Sequence, residues 1–237
     1  MKKSIAVIGL GRFGLSLVKH LVNHRVEVIA IDTNPKAVNE AANYISQALI
    51  CDSTNEAAIK ECGIQNCDEA IIALGQNDPK TIVTTIVTTI LLKNLGVEKI
   101  TVRLDNPYYE KTLYSLGATS IISPLEIAGE KLAARVSSNS LVDYYNITDG
   151  YNVFDIVVGE IKEPISLIKL ESPRRWGVNI ILIKRNGKAF VPTAQDELQP
   201  RDHLFAFGKD MGVAALDRFL HDSEDETKEL KKKGTEK

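Results

Sequence analysis

The chain has 237 residues, 44% of them hydrophobic and 25% charged, with a formal charge of −2. That length supplies one large or two small domains with a sizeable core, and without a basic excess nucleic acid is not expected as a partner. Cys51, Cys62 and Cys67 match no CxxC metal pair and are read as ordinary reduced cysteines of a cytosolic protein.

Met1-Lys2-Lys3 runs straight into an apolar strand too short for a cleaved signal. The stretch from Ser4 to Gly14, SIAVIGLGRFG, then carries the first informative pattern. The β-branched and apolar run Ile5 to Ile8 stops at Gly9, and helical periodicity follows through Leu15, Leu17, Val18 and Leu21. Gly9, Gly11 and Gly14 thus form GxGxxG between a strand and a helix, the context in which that spacing predicts a nucleotide site. Gly9 makes the tight turn, Gly11 admits a pyrophosphate close to backbone, and Gly14 lets helix and strand pack closely. Free N–H groups at the helix start face the phosphates. Arg12 and Phe13 lie inside the same turn, and a guanidinium there can fork onto phosphate oxygens. The second strand, Val26 to Ile31, ends in Asp32, where a carboxylate can take ribose hydroxyls.

Asn34-Pro35 opens a helix to about Asn43, and Ile45 to Ile50 is the third strand. Asp52 and Ser53 follow at the carboxyl end of that strand, the ligand edge of an open parallel sheet. Asp52, Ser53 or Thr54 can equally cap the helix Glu56 to Glu61, and both roles can hold together. Strand Glu69 to Leu74 leads into the loop Gly75-Gln76-Asn77-Asp78 at the same edge, so Leu74, Gly75 and Asn77 join the candidate site. A helix from Pro79 to Leu95, strand Lys99 to Leu104, helix Pro107 to Leu116 and strand Thr119 to Ile122 complete the alternation. Arg103, ending the fifth strand, is a second possible phosphate partner. This order predicts an α/β fold, a Rossmann-type doubly wound parallel sheet with helices on both faces.

Within the fourth helix, Ile82, Val83, Ile86, Val87, Ile90 and Leu91 form one stripe and Thr84, Thr85, Thr88 and Thr89 the other. A threonine stripe is too mild for an outer face in water, so something covers it, either another subunit or the helix's own domain. The segment Ile82 to Leu92 falls short of the roughly 20 residues that a membrane span needs. Ser123-Pro124 ends the pattern, and a helix from Leu125 to Ser137 leads away, with Glu126 in its first turn. Beyond the polar junction Ser137 to Ser140, the period changes to strands at Val142 to Ile147 and Val153 to Val158, a short helix at Ile165 to Leu170, and a hairpin around Asn186-Gly187. Strands at Ala189 to Pro192 and His203 to Phe207 and a closing helix, Met211 to Leu220, make a smaller α+β domain. It shows no catalytic grouping, and His20, His24, His203 and His221 read as surface or packing residues. The tail 222–237 is expected to be solvated or disordered.

Taken together, GLGRFG, Asp32, CDSTNE at 51–56, the crossover helix and the small C-terminal domain resemble the cytosolic regulatory subunits of the Ktr and Trk potassium-uptake systems, closest to the KtrA type. The resemblance implies an RCK-N (TrkA-N) domain over 1–123, a crossover helix over 124–137 and an RCK-C (TrkA-C) domain over 138–221. It further implies a peripheral protein on the cytoplasmic side of the cell membrane, dimers assembled into an octameric ring, docked on a membrane potassium-translocating subunit. ATP or ADP, and in some members NAD(H), would bias the ring's shape. Carried over by position, Gly9, Gly11 and Gly14 hold the phosphates, Arg12 a terminal phosphate, Asp32 the ribose and Asp52 the adenosine side. Glu126 either helps hold a divalent cation beside ATP or simply complements the helix dipole. Some relatives bind cyclic di-AMP through an arginine where this chain has Pro173. Weak or absent binding is therefore expected, with Arg174, Asn179, Ile180 and Pro192 as the residues available to line such a pocket. The alternative, a small NAD-dependent oxidoreductase, would need an acid or base beside the nicotinamide that the C-terminal domain does not supply. A transcriptional regulator would need a DNA-binding unit, and no such pattern is visible.

Overall fold

A computed structural model describes residues 2–75, 79–137, 140–161 and 164–221. Candidate residue Asn77, the junction residues Ser138 and Asn139 and the tail 222–237 lie outside the described residues. The chain divides into two compact units, one ending at Ile127 and the other beginning at Ala128.

In the first unit six strands, β1 (Ser4–Ile8), β2 (Glu27–Asp32), β3 (Gln47–Ile50), β4 (Glu69–Ile72), β5 (Ile100–Arg103) and β6 (Ser120–Ile122), form one parallel sheet in the order β3-β2-β1-β4-β5-β6. Ile5 sits opposite Val28 on one side and Glu69 on the other, so β1 is central. Its residues Ala6, Val7 and Ile8 are almost wholly buried, as a strand covered on both faces requires. The connections are helices α1 (Arg12–Asn23), α2 (Pro35–Ala41), α3 (Glu56–Glu61), α4 (Pro79–Asn94) and α5 (Glu110–Leu116), and α6 (Pro124–Ser137) follows β6. One face of the sheet packs Ile8, Ile31, Ile72 and Val102 with Ile59, Leu92 and Leu113; the other packs Ile5, Val7, Val28 and Ile71 with Val18 and Val38. Because the strand order reverses direction between β1 and β4, the helices leave opposite faces there and a crevice opens at the carboxyl edge.

The threonine stripe of α4 turns inward. Thr85, Thr88 and Thr89 are fully buried in their own unit, while Val83 on the other stripe is 58% exposed. Of the two ways to cover the threonines, the helix's own domain is the one realised. The reason is local: Thr85 and Thr89 donate their hydroxyls to the carbonyls of Thr81 and Thr85, at 3.0 and 2.7 Å. A threonine so satisfied packs as a small apolar residue.

The second unit contains β7 (Leu141–Thr148), β8 (Tyr151–Val157), β9 (Ile165–Ser166), α7 (Leu167–Leu170), α8 (Ser172–Trp176), β10 (Asn179–Arg185), β11 (Lys188–Phe190), β12 (Glu197–Leu198), β13 (His203–Lys209) and α9 (Asp210–His221). Five strands form an antiparallel sheet in the order β11-β10-β13-β8-β7, and β9 pairs with β12. One sheet face is dry: Phe154, Ile156, Ile183, Leu204 and Ala206 pack with Val213, Leu216 and Leu220 of α9. The predicted helix over Ile165 to Leu170 is in part wrong, since Ile165 and Ser166 pair with Leu198 and Glu197 before one helical turn begins. A two-residue bridge to a distant segment leaves no period to read. Among the described residues, no helix is long and apolar enough to cross a membrane.

Candidate functional site

The glycine turn is built from contacts that a side chain would break. Gly9 has φ +97°, and a Cβ on it would stand 2.9 Å from Leu74 Cδ2 and 3.2 Å from the Leu74 nitrogen. A Cβ on Gly14 would lie 1.9 Å from the Gly9 carbonyl oxygen, so the helix can approach the strand end only without one. Gly11 differs from both. It caps α1 with an ordinary φ of −65°, and a Cβ there would meet nothing within 4 Å. The polypeptide itself does not require a glycine at that place; a ligand close to the backbone would. Gly75 is open in the same way.

Asp32 ties this turn to the end of β2. Its Oδ2 accepts the Leu10 N–H at 2.6 Å and its Oδ1 accepts the Asn34 N–H at 2.8 Å. Each oxygen keeps a second lone pair, so the carboxylate can hold the turn and still receive ribose hydroxyls.

A cavity of about 340 Å³ opens at the carboxyl edge of the sheet, a size within the range of small-ligand sites. Its walls come from the ends of four strands and the start of α4. Gly9, Asp32, Asp52, Ser53 and Leu74 of the sequence-derived candidates line it; Gly11, Arg12, Phe13, Gly14, Gly75 and Arg103 do not. Arg12 is exposed at the first position of α1. Arg103 spans Asp105 with its Nε and Nη2, at 3.2 and 2.7 Å, and its guanidinium covers the Phe13 ring at 5.5 Å. Its fork is therefore engaged beside the glycine turn rather than directed into the cavity.

Asp52 does not cap α3. That cap is Asn55, whose side chain accepts the Ala58 N–H at 3.2 Å. The Asp52 Oδ1 instead accepts both the N–H and the hydroxyl of Thr54, at 2.9 and 2.8 Å, and these bonds hold its carboxyl below the usual carboxylate value. Ser53 is buried, its hydroxyl 2.8 Å from that of Thr88. Cys51 lines the same cavity; burial and a hydrogen bond with Cys62 push its thiol up to about 12, which keeps it protonated and unreactive.

The residues missed in the sequence are the polar Thr33, Thr54, Lys80, Thr81 and Thr84 and the apolar Ile8, Ile31 and Cys51, all lining the cavity. A cation directly after a helix-opening proline, six residues past the end of a predicted ligand-edge strand, was the available signal for Lys80. Glu126 is exposed in the first turn of α6, after the edge strand β6, three strand positions or roughly 14 Å from β1. Among the described residues no group of three or more His, Cys, Asp or Glu gathers as a metal site. In the second unit Pro173 lies in the first turn of α8 and Arg174 is 84% exposed, 3.8 Å from Glu171.

Comparison with known proteins matches residues 5–124 to the TrkA-N domain and 160–221 to the TrkA-C domain. The chain is similar to Ktr system potassium uptake protein C of Bacillus subtilis (strain 168), 38% identical over 223 residues, covering 93% of this chain and 99% of that one. It is likewise similar to Ktr system potassium uptake protein A of the same organism, 34% identical over 207 residues, with 87% and 91% covered. In fold it resembles the GsuK channel bound to NAD, with a TM-score of 0.64 at 15% identity; the match takes in 95% of this chain and 41% of the length of that one.

Proposed function

The chain belongs to the Ktr family of potassium-uptake proteins with a TrkA-N and a TrkA-C domain, and from that premise we propose that it is the nucleotide-binding regulatory subunit of a membrane potassium-uptake system. ATP or ADP occupies the cavity of the first unit, with NAD(H) as the other candidate occupant. The protein acts as a homo-oligomer, dimers assembled into an octameric ring, on the cytoplasmic face of a potassium-translocating membrane subunit. Exchange of one nucleotide for the other shifts the ring between shapes by their difference in affinity for each, and so opens or closes the partner. A divalent cation bound with ATP would draw its ligands from the phosphates, since Glu126 follows a strand three positions from β1. Cyclic di-AMP is not part of this regulation, since Pro173 can neither fork onto a phosphate nor donate an N–H.

The observation that carries the nucleotide reading is Gly11. It stands at the N-terminus of a twelve-residue helix, next to a turn that lines the cavity, with space where its Cβ would be and no backbone strain to explain it. Helix N-termini of this kind accept phosphate through their free N–H groups. We further propose that the protein does no chemistry on its ligand: among the described residues lining the cavity, Asp32, Asp52 and Lys80 are given to binding and there is no histidine or tyrosine to move a proton beside a nicotinamide.

The test is a titration of purified protein with ATP, ADP and NADH, together with identification of any copurified nucleotide. Gly11→Val should abolish binding, and potassium uptake in cells that also produce the membrane subunit should lose its nucleotide response. Unchanged binding by Gly11→Val would place the site elsewhere. Sustained oxidation of NADH with a small substrate would favour the oxidoreductase reading instead.

A further inference from the structure

The cavity holds two opposite charges that do not meet. Asp52 uses its Oδ1 for Thr54, and its Oδ2 has no hydrogen bond among the described residues. Lys80, in the first turn of α4, lines the same cavity, and among the described residues its Nζ makes no hydrogen bond or ion pair. The two feel each other nonetheless: after the Thr54 bonds, the Lys80 charge also helps hold the Asp52 carboxyl low.

A carboxylate oxygen can only accept and an ammonium can only donate. Whatever displaces water from between them must present a donor and an acceptor side by side, or leave a polar group unpaired at a cost of about 1–3 kcal/mol. Position identifies the part of the ligand concerned. Asp52 follows β3, two strand spacings or about 10 Å from the glycine turn after β1, too far to share the phosphates held there. Asp32, between them, takes the ribose. Ile8, Ile31, Cys51 and Leu74 supply apolar walls for a flat ring. Adenine offers the required pair on one rigid edge, its 6-amino group beside a ring nitrogen.

We propose that Lys80 and Asp52 grip the base edge of the bound nucleotide between them, the 6-amino group donating to Asp52 Oδ2 and Lys80 Nζ donating to a ring nitrogen, so that Lys80 is a specificity-determining residue for adenine. This rests on the nucleotide reading above.

The experiment is calorimetry on the full chain with ADP, 1-deaza-ADP and 7-deaza-ADP, each of which lacks one ring-nitrogen acceptor. Lys80→Met should weaken ADP about tenfold or more, the worth of one charged hydrogen bond, and Lys80→Arg should restore most of it. With one of the two deaza analogues the parent protein should show the same loss, and Lys80→Met should lose nothing further. Lys80 is exposed, so its variants should unfold at the parent's temperature, and that is checked alongside. An equal fold loss for ADP and both analogues would make Lys80 a general electrostatic contributor and overturn the base contact, as would unimpaired ADP binding by Lys80→Met. Failure of the parent protein to bind any adenine nucleotide would instead overturn the nucleotide reading itself, and this inference with it.

Discussion

The three glycines of the first turn have separate physical jobs, and their substitutions should separate accordingly. Gly14→Ala puts a methyl 1.9 Å from a carbonyl oxygen, so the helix must shift away from the strand. We expect a loss of about 1–3 kcal/mol in the ligand-free protein, measured by chemical denaturation. Gly11→Ala should leave that stability within about 0.5 kcal/mol and weaken ADP instead, because its Cβ intrudes only on the ligand's space. Parallel effects of the two changes on ligand-free stability would contradict the assignment. Asp52 allows a pH test. Its folded carboxyl titrates below the ordinary value of 3.8 because of the Thr54 bonds, so their stabilisation is present above that value and is lost as pH falls through the lower one. Thr54→Val keeps the backbone donor and removes the hydroxyl, and should move the Asp52 titration upward part of the way, as read by carboxyl chemical shifts between about pH 2 and 6.

At the scale of elements, α4 shows how both stripes of a helix can be identified while what covers one of them stays open. Its threonines are inside because their hydroxyls are consumed by the helix's own carbonyls and, at Thr88, by Ser53. Its valines point outward instead: Val83 is 58% exposed, and Val87 is half-buried. Charge placed on the threonine stripe therefore acts on folding rather than on assembly. Thr89→Glu, an unpaired carboxylate at a fully buried site, should destabilise the first unit by about 3 kcal/mol or more in thermal or urea unfolding. Val83→Glu with Val87→Glu should leave the fold intact and lower the mass of the proposed oligomer in light scattering, since Val83 is the exposed apolar side chain of that stripe, while Ile82, Ile86 and Leu91 pack on the core. An unchanged assembly would exclude this stripe from the interface.

For the whole molecule, regulation requires that two nucleotides be told apart, not merely bound. Arg12 is exposed at the head of α1, where the proposed function would have it meet the terminal phosphate of ATP. Arg12→Ala should reduce the difference between ATP and ADP in the shape of the assembly, followed by small-angle scattering, while ADP affinity falls less than ATP affinity. Equal losses for both would make Arg12 part of the common phosphate site. The second unit has its own dry core and a separate cavity of about 310 Å³ lined by Lys131, Arg135 and Asp143 among others.

What the sequence determined by itself is what depends on neighbours along the chain. The strand, glycine turn and helix from Ser4 onward, Asp32 closing β2, the strict alternation of strands and helices, and Asn186-Gly187 between β10 and β11 are local patterns, and they were legible because turn geometry and periodicity act over a few residues. The domain identities came instead from the resemblance of these stretches to a known family. What tertiary structure decided is what depends on residues that the strand order brings together from afar. Only the crossing from β3 back to β4 beside β1 brings the start of α4 and the end of β3 to one cavity, with Lys80 and Asp52 both lining it. Only packing chose the threonine stripe and binds Asp32 to the Leu10 N–H across 22 residues. A side chain's type states which bonds it can make, whereas the fold states which partner is within reach.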